Sequence, residues 1–349
     1  MFEFLKENIG VPKDERDNQE GHKYSDSLEN DDVVGYRHET NIVVYRYNSF
    51  EQLIVSLPYK KLDMYSFAPK DLPTGKLHGY LLGAIAPRPI AFASTVDKDG
   101  NPNLSPYSFF NVFSSNPPIV IFSPARRVRD NTTKHTLENV EEVKEVVINV
   151  VSYPMVQQMS LSSTEYPKGV NEFEKAGFTM LPSDEVKPFR VAESPVQFEC
   201  VVKDIIYTGT EGGAGNLIVG EVVKVHINEE VLAEDGTIDQ HKIDLVARAG
   251  GSFYSRARDG FFEIPKPLSS LGIGVDAIPK AIRNSTVLTG NDLGMLGNVD
   301  AFPPQKSVDN FMKEHPHFSE ANETEKHTFA KEYLAKNDVE SAWKVLLIE

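Results

Sequence analysis

At 349 residues, 40% hydrophobic and 25% charged, the chain is long and apolar enough to bury a sizeable core, which excludes an intrinsically disordered polymer. Its 36 basic and 51 acidic residues give a formal net charge of −15, which repels polyphosphate backbones and excludes general nucleic-acid binding. A single cysteine excludes an intrachain disulfide; with neither a basic-then-apolar leader nor an apolar run near the roughly 20 residues that span a bilayer, the expectation is a soluble, cytoplasmic chain.

Three regions follow in chain order. Residues 1–63 read as a polar, acidic extension ending in the strand-like NIVVYRY and the run FEQLIVSLPY. Residues 64–299 carry short apolar runs bounded by Gly, Pro, Asn and Asp, the pattern of a mainly β domain with six or more antiparallel strands and a few helices. PIAFAST (89–95) alternates as a strand, VDKDGNPN turns, and LSPYSFFNVF opens a second strand, so the unit is a hairpin. Pro117 and Pro118 end it, and IVIFS follows as a buried strand. A helix is predicted from about Thr136 to Glu145, with Leu137, Val140 and Val143 as its apolar stripe. Further strands are VVINVV (146–151), VQFECVVKDIIY (196–207), LIVGEVVKVHI (217–227) and IDLVARAG (243–250). Cys200 alternates with Val196, Phe198 and Val202, which predicts a buried strand thiol.

GTEGGAGN (209–216) is glycine-rich, but a dinucleotide-binding loop must open a helix and this segment runs into a strand, so it is read as a hairpin turn. IRNSTVLTGNDLGMLGNVD (282–300) reads as a loop packed against the β domain or against a second copy. Residues 300–349 form a helical extension, since Phe329, Tyr333 and Leu334, and again Ala342, Val345 and Leu346, recur at helical spacing.

The chemistry concentrates in residues 84–139. Ser94, Thr95, Ser105, Ser108 and Asn111 are short hydrogen-bonding groups interleaved with Tyr107, Phe109 and Phe110, a surface suited to a planar ligand with polar edges. Arg126, Arg127, Arg129 and Lys134 then cluster in an otherwise acidic chain, just before Thr136 at the predicted helix start, which suits a phosphate. No nucleophile or acid–base pair stands out, so no catalytic side chain is assigned. His315, His317 and His327 are too sparse for zinc, and no metal is expected.

The ordered series APRPIAFASTVDKDGNPNLSPYSFFN, PPIVIFSPARR, TKHTLEN and VARAGGSFY resembles the flavin reductase-like family, FMN-binding split barrels related to the pyridoxamine-phosphate oxidase-like fold, over about residues 72–267. The resemblance implies a Greek-key split β-barrel in which Ser94, Thr95, Ser105, Tyr107, Ser108, Phe109 and Asn111 line the flavin ring and ribityl chain. Arg127, Lys134 and Thr136 would take the phosphate; the family's aspartate between these last two is His135 here. It further implies a homodimer with pockets near the subunit contact, and hydride transfer from NAD(P)H to FMN with the reduced flavin passed to a protein or small-molecule acceptor. His241, Arg248 and Tyr254 are the candidates for contacting the nicotinamide or closing the pocket. Two alternatives stay open: a non-enzymatic FMN electron carrier, and a binding module of the same barrel for another planar ligand.

Overall fold

Three short strands, β1 (Val34–Arg37), β2 (Ile42–Tyr47) and β3 (Phe50–Val55), pair antiparallel in that order, so NIVVYRY and FEQLIV do form strands. The computed structural model describes the backbone of these strands, residues 63–264 and residues 271–348; the acidic stretch before Val34 lies outside the described residues.

From Tyr65 to Pro265 the contacts define one unit. It opens with α1 (Thr74–Ala84), followed by β4 (Ala91–Val96), β5 (Pro102–Tyr107), β6 (Phe110–Ser115) and β7 (Pro118–Phe122). Next come α2 (His135–Val143), β8 (Glu145–Val150), α3 (Val156–Leu161), α4 (Glu172–Ala176) and the short pair β9 (Met180–Leu181) and β10 (Arg190–Val191). The long strands β11 (Val196–Tyr207) and β12 (Asn216–Ile227) make a hairpin closed by the glycine-rich segment, as the sequence predicts. The unit ends with α5 (Gln240–Ile243) and the pair β13 (Val246–Arg248) and β14 (Tyr254–Arg256), which stands apart from the main sheet.

The main sheet is antiparallel and seven-stranded, in the order β5-β4-β8-β11-β12-β7-β6. Its two outer strands, β5 and β6, are consecutive in the chain and separated only by Ser108 and Phe109. A flat sheet would hold them about 29 Å apart, at roughly 4.8 Å per strand gap. The three Cα steps from Tyr107 to Phe110 reach at most about 11 Å. The sheet must therefore curl until its edges meet at this corner, which makes a barrel closed at one point and split elsewhere. LSPYSFFNVF is thus two strands bent at Ser108–Phe109, where the sequence suggested one.

Both faces of β4 are covered, which is why all six of its residues are buried. On one face Ala91 and Ala93 join Phe122, Val146, Ile148, Cys200 and Ile218, with Leu137 and Val140 of α2 packed onto them. On the other face Phe92 meets Leu104, Met155, Met159, Phe173 and Phe178 beneath α3 and α4. The edge of β5 is blunted: the Leu104 N–H points outward and donates to Glu172 Oε2 at 3.0 Å, while the flanking outward positions are Pro102 and Pro106, which have no N–H to leave unpaired. Burial raises the Glu172 pKa above its ordinary value.

The second unit holds α6 (Lys280–Arg283), α7 (Gly290–Gly297), α8 (Gln305–Glu314), α9 (Glu323–Leu334) and α10 (Val339–Leu346). The helices expected beyond residue 300 are present, but 282–300 is not a loop. Thr289 starts α7 with a capping box to Asp292, and Ile282, Leu288 and Leu296 enter one core with Ala330, Leu334, Ala342 and Trp343. The expected boundary at 299 accordingly moves back to Pro265–Lys266. The sequence pattern hid this because three glycines in α7 weaken its helical signal, and the cap outweighs them.

Candidate functional site

Adjacent strand residues point to opposite faces, and this separates Ser94 from Thr95. Thr95 lies on the α2 side of β4, where its Oγ1 accepts from Asn103 Nδ2 at 3.3 Å and Asn139 Nδ2 at 3.1 Å. Ser94 shares the Phe92 face and is fully buried, with no hydrogen-bond partner for its hydroxyl among the described residues. The Thr136 Oγ1 accepts from Asn103 Nδ2 and from Tyr107 Oη, both at 2.8 Å. Thr95, Thr136 and Tyr107 are thus enclosed together with Asn103 and Asn139, and burial pushes the Tyr107 phenol above its ordinary pKa. This network fixes the N-terminal turn of α2 against β4 and β5. Ser94 thus lies on one face of β4, and Thr95 with Thr136 on the other, all three of them fully buried.

The accessible candidates gather around the β5–β6 corner. Ser105 and Ser108 are half-buried, Phe109 is 38% exposed, and Asn111 is exposed, its Oδ1 accepting from the Val112 N–H at 2.8 Å. Phe109 meets His78 of α1 edge-on at 6.1 Å, and the Phe109 carbonyl accepts from the Ser123 N–H at 2.9 Å, which joins the corner to the start of the cationic loop.

That loop is tightly self-bonded. Arg126 donates from Nε to Asn131 Oδ1 and from Nη2 to the Asn131 carbonyl, both at 2.6 Å. Arg127 donates to Thr132 Oγ1 at 2.8 Å, to the Thr133 carbonyl, and to Glu165 Oε1 at 3.2 Å. The tip of the β11–β12 hairpin closes over it: a Cβ on Gly212 would stand 3.1 Å from the carbonyls of both Arg127 and Val128, and Gly213 adopts φ +95°. Only glycine allows this approach, which gives the GTEGGAGN run a physical purpose beyond turning the chain.

Lys134 caps α2 with its backbone, where first-turn N–H groups lack helical partners, and its half-buried ammonium has neither a hydrogen bond nor an ion pair among the described residues. Burial, and then the charge of Arg127, lower its pKa. His135 lines a small crevice with Asp97, Asn101, Asn139 and Lys168; burial lowers its pKa and favours the neutral ring.

The late candidates come from the end of the unit, where Arg248 pairs through its backbone with Arg88. Arg248 and Tyr254 are a cross-strand pair in the β13–β14 ladder, with the guanidinium 4.6 Å from the ring centroid and also bonded to the carbonyls of Gly251 and Phe253. Arg248 therefore closes its own loop. His241 sits on α5, edge-on to Phe261 at 5.7 Å.

Sequence reasoning missed Arg88, which is almost fully buried. It donates to the carbonyls of Leu82 (2.7 Å), Ile85 and Ala249 (3.2 Å) and weakly to Ser108 Oγ (3.4 Å), while its backbone forms a two-way bridge with Arg248. One guanidinium thus ties the end of α1, the barrel corner and the start of the 249–253 loop. A charge set between two prolines at the entrance to a wholly buried strand was the available signal.

A separate cluster, Asp184, Glu199 and His226, holds itself together. Buried Glu199 accepts from the Asp184 and Glu185 N–H groups at 2.9 and 2.7 Å and lies 2.7 Å from His226 Nε2, while Arg190 and Lys224 balance the carboxylates from 3.8 and 3.6 Å.

Comparison with known proteins agrees with this architecture. The profile of the flavin reductase like domain matches residues 83–244. An uncharacterized protein of Aquifex aeolicus is 37% identical over 191 residues, covering 55% of this chain and 95% of the relative; one from Halalkalibacterium halodurans is 36% identical over 195 residues, covering 55% and 92%. Among solved structures, nitrilotriacetate monooxygenase component B from Bacillus cereus superimposes with a TM-score of 0.54 at 28% identity, covering 59% of this chain and 100% of that one. The 2-nitrobenzoate 2-nitroreductase of Pseudomonas fluorescens gives 0.52 at 26%, covering 60% and 100%. With its curled seven-stranded sheet and these relatives, the chain belongs to the flavin reductase-like family of split β-barrel proteins.

Proposed function

We propose that the protein binds FMN and reduces it with NAD(P)H as an oxidoreductase. The observation that carries this reading is the unpartnered Lys134 ammonium at the start of α2, beside Arg127 and within a family of flavin reductase-like proteins. The donor set fits a phosphate monoester: a lysine with no ion pair among the described residues, an arginine with N–H groups to spare, and free N–H groups at a helix start. FMN supplies the hydride chemistry when bound. The chain's own part is to hold the phosphate at Arg127 and Lys134, to flank the ring with Ser105, Ser108, Phe109 and Asn111, and to keep the corner rigid through Arg88.

We also propose a homodimer, a reading that the edges of the sheet support. The β5 edge is closed to further pairing by its prolines and Glu172, whereas β6 is an outer strand that exposes Val112 (66%) and Phe113 (64%). A second copy covering β6 would also border the Phe109–Asn111 rim.

Titration of the purified protein with FMN and riboflavin, followed by NADH and NADPH consumption assays, tests the reading. Lys134→Ala and Arg127→Ala should each weaken FMN binding about 10- to 100-fold while changing riboflavin binding little. Equal losses for both flavins would remove the phosphate assignment, and FMN binding without nicotinamide oxidation would leave an electron carrier instead.

A further inference from the structure

The cations expected to meet the phosphate already share an anion of the chain's own. Glu165 places Oε1 3.2 Å from Arg127 Nε and Oε2 2.8 Å from Arg129 Nη2, bridging the two arginines. It comes from the loop between α3 and α4, whose turns set its backbone: the Thr164 N–H donates to the Leu161 carbonyl at 3.1 Å and the Tyr166 N–H to the Thr164 carbonyl at 2.8 Å. The same loop is docked a second time, by Lys168 Nζ on Glu138 Oε2 at 2.8 Å, and Glu138 also accepts from Thr133 Oγ1 at 3.1 Å. Arg129 and Asp130 form a further pair at 3.1 Å, and Arg126 spends its donors on Asn131. Of the four cations, Lys134 alone lacks a partner among the described residues, and it too lies within the field of Glu165.

We infer that Glu165 acts as an internal anion that competes with the flavin phosphate for Arg127, so that FMN is taken up and released as a diffusible species instead of being retained. This deepens the proposed function and rests on it. The physical case is one of balance. Glu165 is about half exposed on a surface loop, so its ion pairs are weak and a phosphate can displace them. Displacement still leaves a carboxylate beside a dianion, and at these short separations the repulsion is only partly screened by salt. Riboflavin, lacking the phosphate, meets no such opposition. Glu165 thereby sets discrimination between phosphorylated and unphosphorylated flavins without touching the ring.

Glu165→Gln keeps the size and loses the charge. The expected result is FMN binding roughly three- to tenfold tighter, with slower FMN release, and riboflavin binding unchanged. The gain should shrink as salt is raised from about 0.05 to 0.5 M. In parallel, inorganic phosphate added to the protein without flavin should raise the unfolding temperature of Glu165→Gln more than that of the wild type. Unchanged or weaker FMN binding, or an equal shift for both flavins, would overturn the inference and make Glu165 a support that orients Arg127. If the wild type binds neither flavin, the proposed function fails, and the phosphate arm alone decides the role of Glu165: a response equal in variant and wild type rejects it.

Discussion

Replacing Arg88 by methionine keeps the aliphatic stem and deletes the guanidinium. The variant loses bonds to the Leu82, Ile85 and Ala249 carbonyls and the weak one to Ser108. Hydrogen bonds from charged donors contribute about 1.5–3 kcal/mol each, but the methionine also avoids desolvating a cation, and water can reach the carbonyl of Ile85, whose residue is 64% exposed. The balance is a loss of about 3 kcal/mol, equivalent to roughly 6–12 °C for a unit of this size. Lysine retains the charge but cannot reach three segments from one ammonium, so Arg88→Lys should recover about half of that loss. Urea unfolding followed by far-UV circular dichroism reports the sheet, with fluorescence of Trp343, the single tryptophan, as a separate reading of the C-terminal helices that bury it. A loss below about 0.5 kcal/mol in Arg88→Met would refute the clamp, because the carbonyls would then be satisfied without it.

Glu172 has a folded pKa raised by burial, so its contribution is whole below the ordinary carboxylate value and is lost as pH rises through the folded one. Glu172→Gln still offers an acceptor to the Leu104 N–H; the stability of wild type minus variant should therefore decline as pH rises above the ordinary carboxylate range, and a flat difference would count against the buried edge carboxylate. His327 is buried with its Nε2 unpartnered among the described residues, and burial lowers its pKa despite Glu323 Oε2 at 3.9 Å. Its stabilising contribution is present above the ordinary value of about 6.5 and lost as pH falls towards the depressed one, so His327→Leu should gain about 1 kcal/mol and flatten the acid loss seen by Trp343 fluorescence. Cys200 is fully buried and its thiol is pushed up to about 12, so a thiol reagent at pH 8 should label one group per chain only after unfolding; rapid labelling of the native protein would contradict its place in the core.

Much of the fold was legible because strand alternation and turn chemistry are local. PIAFAST, VVINVV and the two long strands around GTEGGAGN fell where their apolar period required, as did the helix through Leu137 and Val140. The helix at 290–297 escaped because three glycines conceal a helix whose start is set by Thr289 and whose burial is set by distant Trp343 and Leu334. Site residues divided the same way. The cations before α2 and the aromatic corner could be read as a ligand surface, but a residue list does not say which hydroxyls are consumed by neighbours. Thr95 and Thr136 are claimed by Asn103, Asn139 and Tyr107, and Ser94 is turned to the other face.

By itself, then, the sequence determined the strands, the cationic loop and the buried thiol, since each follows from residue type, spacing and charge along a few neighbouring positions. The curl of the sheet at Ser108–Phe109 depends on the pairing order of all seven strands, and the contacts of Arg88 with Ser108 and Ala249 and of Glu165 with Arg127 join positions 20 to 161 residues apart. Only tertiary structure could decide them, because an unpaired cation or an orphan carbonyl takes whichever complementary group the fold brings within reach.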